Sequence, residues 1–157
     1  MTDNATVADT LERAADLYES EQVGWCQFKW VGAEVGPTPD GAAWWRTGRM
    51  TMCAEGALLK AVGFDYQWID NFGDGLLTGV GIDDKYDIIY QTYMAAVAAV
   101  EAQLPPVPAD IHAEDEEGPF TGQKADWSLA GWNDRVVKDK AEVVEIFKAT
   151  AKDLRNG

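Results

Sequence analysis

The chain has 157 residues, 46% of them apolar, with seven Trp, five Tyr and five Phe; this is enough for one well-filled domain over 1–157 and excludes an intrinsically disordered chain. A formal net charge of −14, from 27 acids and 13 bases, offers no basic footprint for a phosphate backbone or an anionic bilayer, which excludes direct nucleic-acid and membrane binding. Two cysteines make neither a disulfide framework nor a metal-ligand pattern, and with no apolar leader or membrane-length apolar run they point to a cytoplasmic protein with reduced thiols.

In chain order, the spacing predicts a first helix over Ala5 to Ser20. Val7, Leu11, Ala14, Ala15 and Tyr18 form its apolar stripe, and Asn4 or Thr6 can cap it. Gly24 to Val35 alternates aromatic and β-branched residues and predicts a strand. Gly36 to Gly41 reads as a loop, and Ala43 to Thr51 as the partner strand of a small antiparallel β-hairpin. Thr51 to Val62 predicts a second helix, apolar on most sides and therefore central; Gly56 lets a neighbour approach and Gly63 stops it. Asp70 to Gly81 is irregular by its glycines.

Asp83 and Asp84 start a third helix, in which Tyr86, Tyr90, Tyr93, Val97, Val100 and Leu104 keep helical spacing until Pro105-Pro106 ends it. Residues 105–126 combine prolines with Glu114-Asp115-Glu116-Glu117, so self-repulsion predicts a mobile acidic loop. Lys140 to Leu154 is the fourth helix, with Val143, Ile146, Phe147, Thr150 and Leu154 inward; Asp139 and Glu142 have capping-box spacing. The fold class expected is α+β, mainly helical: four principal helices with a small antiparallel β-hairpin.

A cysteine nucleophile needs a neighbouring base, and the one histidine, His112, sits in the acidic Pro-flanked stretch. Cys26 is the better thiol candidate; Cys53 reads as a small buried hydrophobe. Asp70 to Gly75 begins like a calcium loop, but Phe72 takes a ligand position and Gly81 stands where the bidentate Glu belongs, so no metal is expected there. Glu114 to Glu117 with Asp110 and His112 read as a solvated run, so no cofactor or metal is expected. Gly79-Val80-Gly81 lacks the third glycine of a dinucleotide loop. Glu55 is a carboxylate on an apolar helix: buried, it would be a general acid or base, and otherwise it pairs with Arg46 or Arg49. Trp25, Trp30, Trp44 and Trp45 concentrate in the hairpin region, with Trp127 and Trp132 later; any left exposed beside an acidic rim would make a docking hot spot. Trp44 and Trp45, being adjacent, point to opposite faces of a strand.

Gly24-Trp25 with Gln27, the Cys53-x-x-Gly56-Ala57-Leu58 helix, and Trp132-Asn133-Asp134 before a capped last helix resemble a family of short actinobacterial and actinophage proteins of unknown function. Met52 stands where such helices usually carry Trp, and roughly Asp65 to Gly118 looks individual to this chain. The resemblance implies no activity; it implies an accessory protein, phage-borne or actinobacterial. Read physically, Asn133 and Asp134 can bond nearby backbone N–H groups while Trp132 pins the turn to the core.

The leading expectation is a non-enzymatic protein-interaction module, a phage accessory protein modulating a host protein, that binds a host or cognate partner with a basic surface through Trp25, Trp30, Trp44, Trp45, Trp132, Asn133 and Asp134. One alternative is a small enzyme using Cys26 or Glu55 with Asp134. Another is an acidic nucleic-acid mimic, which needs its carboxylates arrayed on one face.

Overall fold

The computed structural model describes residues 2–65, 69, 84–107 and 128–157; of 44–45 and 84–87 it places only the backbone, in a strand and a helix. Helix α1 spans Asn4–Glu19 and is capped by Asp3, one residue before the expected cap, whose carboxylate accepts from Thr6 N at 2.8 Å. Its expected stripe is enclosed, ending in Tyr18, whose hydroxyl donates to the Met52 carbonyl at 2.9 Å.

The expected first strand is two strands. β1 (Val23–Trp25) and β2 (Val31–Pro37) flank β3 (Trp44–Met52) in the order β1-β3-β2. β2 and β3 form the expected antiparallel hairpin, with an irregularity between Ala33 and Val35, while β1 runs parallel to β3. The break falls at residues 26–30, where Phe28 takes the left-handed φ of 61°.

Helix α2 spans Ala54–Val62 rather than starting at Thr51, because Thr51 and Met52 complete β3. Cys53 is its N-cap, with Sγ accepting from Gly56 N at 3.4 Å. Gly63 closes it at φ 116°, which side-chain-bearing residues rarely adopt. Helix α3 spans Asp84–Glu101, three residues short of the expected end.

The Trp-Asn-Asp segment is not a turn but a fifth helix, α4 (Leu129–Arg135), capped by Ser128. Helix α5 (Lys140–Asn156) starts at Asp139 as expected: its carboxylate accepts from Glu142 N at 3.3 Å, and the Glu142 carboxylate reaches back to Lys138 N.

Among the helices α1 and α5 make the most extensive pairing, and α1, α2 and α3 pack against one another. Tyr18, Leu11, Phe147, Val143, Leu58, Leu59 and Val100 are fully enclosed between them. Arg155 bonds both Asp9 and Glu12, and Lys148 pairs with Glu19, all at the exposed α1–α5 rim, where such pairs contribute little stability. Among the described residues no helix is long and apolar enough to cross a membrane. The segments 70–81 and 108–126, including the irregular glycine stretch and the expected acidic loop, lie outside the described residues.

Candidate functional site

Asn133 is wholly enclosed, and its side chain makes four hydrogen bonds. Its Oδ1 accepts from the Trp25 indole Nε1 at 2.8 Å and from Ala54 N at 3.0 Å. Its Nδ2 donates to the Cys26 carbonyl at 3.1 Å and to Asp134 Oδ1 at 2.9 Å. Two acceptor positions and two donors are all the amide has, so none is spare for a ligand. The bonds reach three places: the end of β1, the start of α2 and α4 itself.

Gln27 repeats the logic from the other side. Its Nε2 faces three carbonyls, Asn133 O at 3.0 Å, Val137 O at 3.1 Å and Asp134 O at 3.3 Å, which occupy the C-terminal end of α4. Between Trp25 and Trp30 the chain is thus drawn down onto α4. Asp134 Oδ1 accepts from Phe28 N at 2.8 Å, and the Cys26 thiol donates to Lys29 O at 3.4 Å. Trp30 is half-buried against the core, and its carbonyl accepts from Cys53 N at 3.3 Å.

This clamp forces Phe28 into a conformation that costs a bulky L-residue about 1–2 kcal/mol, and it leaves 74% of Phe28 exposed. An aromatic ring is thereby held out into solvent by a strained backbone whose neighbours are fixed by Gln27, Asn133 and Asp134.

The other candidates are placed as follows. Trp132 is buried in the core and Asn133 is enclosed, its amide engaged in the clamp. Trp25 is half-buried with its indole N–H engaged. Trp44 and Trp45 lie on β3, and their side chains, like His112, Asp110, Trp127, Asp70 to Gly75, Gly79 to Gly81 and Glu114 to Glu117, fall outside the described residues.

Cys26 and Cys53 are free thiols, and burial pushes both up, so thiolate is scarce at neutral pH. Glu55 does not pair with Arg49, which bonds Glu34 and Glu21 across the sheet instead. Burial first, then the Glu101 and Asp134 carboxylates, raise the Glu55 carboxyl to about 7. Glu101 lies opposite on α3 and accepts from Leu129 N at 2.9 Å, securing the start of α4. No group of three or more His, Cys, Asp or Glu among the described residues can hold a metal.

The raised Glu55 pKa carries a pH prediction. The folded protein binds this proton more tightly than the unfolded chain does, so the stability it contributes is complete below the ordinary carboxylate pKa of 4.5 and is lost as pH rises through about 7. Glu55→Gln should therefore be near neutral at pH 4.5 and stabilising by about 3 kcal/mol at pH 8. Urea denaturation of both proteins at the two pH values measures it, and a pH-independent difference would contradict the assignment.

Phe28 and the long reach of Gln27 carry no local signal in the sequence. The one clue is that Gly-Trp, Gln27, Cys-x-x-Gly and Trp-Asn-Asp, scattered over more than a hundred positions, are the residues this clamp joins. A sequence model of DUF6197, a family of unknown function, matches residues 2–153. No curated protein and no solved structure matches the chain.

Proposed function

The chain belongs to DUF6197, a family of unknown function, and from its geometry we propose that it is a non-enzymatic interaction module that docks a basic protein through the Cys26–Trp30 turn, with Phe28 as apolar anchor. The observation that carries this reading is the exposed Phe28 ring at φ 61°. A fold that served only its own stability would place Gly or Asn there, since either relieves the backbone at no loss of packing. Rigid, preorganised aromatics are what interface hot spots are made of, because little conformational entropy is left to lose on binding. The net charge of −14 selects for a partner of opposite sign and speeds its encounter. If the gene is phage-borne, that partner is a host protein.

The nucleic-acid mimic is less well supported, because acids that would form a phosphate-like row are tied to cations: Asp9 and Glu12 to Arg155, Glu19 to Lys148, Glu34 to Arg49. The Glu55 carboxyl near 7, with Asp134 beside it, is the observation that favours an acid–base enzyme as the second reading.

Phe28→Gly tests the docking turn. The variant should be as stable as the wild type or more stable by about 1 kcal/mol, yet lose about tenfold or more in partner affinity. Affinity capture from the native host's lysate, with wild type, Phe28→Gly and Ile88→Ala in parallel, gives the comparison; Ile88 is an equally exposed apolar side chain on α3. Proteins retained by the wild type and Ile88→Ala, lost by Phe28→Gly and eluted by salt support the reading. Retention by Phe28→Gly sinks it.

A further inference from the structure

Strand β2 is an edge of the sheet, with β3 on one side only. Backbone bonds at its two ends fix which of its residues face β3. Cys53 N donates to the Trp30 carbonyl at 3.3 Å, and Thr38 N donates to the Ala43 carbonyl at 2.8 Å. Alternation from either end turns Gly32 and Gly36 toward β3 and turns Val31, Ala33 and Val35 outward. Among the described residues nothing bonds these outward N–H and C=O groups. Val31 and Ala33 are partly exposed, and Val35 is exposed. Edge strands are commonly blunted by a Lys, a Pro or an inward charge; this one carries Pro37 at its end and none at its centre.

The charges beside the edge are arranged in a particular way. Gly32 and Glu34 lie on one face of the strand. A Cβ on Gly32 would stand 3.2 Å from Lys29 Nζ, so the Lys29 ammonium lies over that glycine. Among the described residues no acid forms a salt bridge with Lys29. Glu34 is the one charged residue of β2. It accepts from Thr47 Oγ1 at 2.9 Å and Arg49 Nε at 2.6 Å, which leaves its carboxylate room for a further donor.

We propose that β2 pairs antiparallel with β2 of a second copy about a two-fold axis at Ala33, so that the two sheets become one. Ala33 meets the partner's Ala33 and Val31 meets the partner's Val35, each pair exchanging both backbone bonds. In this register Glu34 stands across from the partner's Gly32, beside the ammonium of the partner's Lys29, and symmetry repeats the ion pair. An axis at Glu34 instead would set the two Glu34 carboxylates against each other. Copies of net charge −14 repel in general, so a lasting contact between them requires an edge whose charges pair. The contact stands whether or not Phe28 docks a partner.

Sedimentation velocity of the full chain across a wide concentration range tests this. The wild type should pass from monomer to dimer at about 10–100 µM, as suits a small interface. Ala33→Pro keeps the bonds to β3, because the N–H it deletes points outward. It should stay monomeric with an unchanged circular dichroism spectrum. Lys29→Glu alters an exposed residue and sets a second carboxylate against the partner's Glu34, so it should weaken the dimer about tenfold or more. Isotope-filtered NOEs between Gly32 of a labelled copy and Glu34 of an unlabelled one should mark the register. A wild-type chain that stays monomeric, including one whose edge takes up only a peptide of another protein, overturns the proposal. So does a dimer that survives both substitutions.

Discussion

Asn133→Ala should destabilise the protein by about 3–5 kcal/mol, the range for breaking a buried network rather than one contact. The amide satisfies the Trp25 indole N–H, the Ala54 N–H and the Cys26 carbonyl at once. With Ala in its place these groups are orphaned at a site closed to solvent, and each loses the full value of its bond. Asn133→Asp separates geometry from polarity. It keeps the shape and both acceptor bonds but sets a carboxylate oxygen against the Cys26 carbonyl and the Asp134 carboxylate. It should be as damaging as Ala at pH 8 and partly recover near pH 4, when a protonated Asp can again donate. Urea midpoints of the three proteins at both pH values measure this. An Asn133→Ala variant within about 1 kcal/mol of the wild type would mean that the clamp does not hold the fold together.

Gly56→Ala should cost about 2–4 kcal/mol, although Ala is the better helix former by about 1 kcal/mol. A Cβ at this position would stand 2.4 Å from the Trp30 carbonyl oxygen, a backbone atom that cannot rotate away. Relief requires α2 to retreat from the turn, which strains the Cys53 N to Trp30 O bond and the Ala54 N to Asn133 bond beside it. Gly56→Ala should therefore also slacken Phe28. Amide exchange at Phe28 and Ala54 that speeds up together would show it; thermal melting unchanged from the wild type would rule out the close approach.

Where a helix buries a wide stripe, as α1, α3 and α5 do, its periodicity already announced it, along with the capping box at Asp139. The α2 boundary slipped because Thr51 and Met52 suit a helix as well as a strand, and a cysteine is an unusual cap. Strand β1 was fused to β2 because Cys26-Gln27-Phe28-Lys29-Trp30 holds no Gly or Pro to mark a turn. That turn is imposed from a distance, by α4, and no local propensity records it. Helix α4, seven residues long, is too short to show a period. For the same reason Asn133 read as a local turn former, when its partners lie far away along the chain.

That separation has a consequence for birth on the ribosome. Trp25 and Asn133 stand 108 positions apart, so while the N-terminal half is being made, the indole and the Ala54 amide await an acceptor that has not been translated. Helix α1 likewise waits for α5, its most extensive partner. The nascent polypeptide must carry a half-built apolar face until Lys140–Asn156 has left the ribosome, and chaperone occupancy should persist until then.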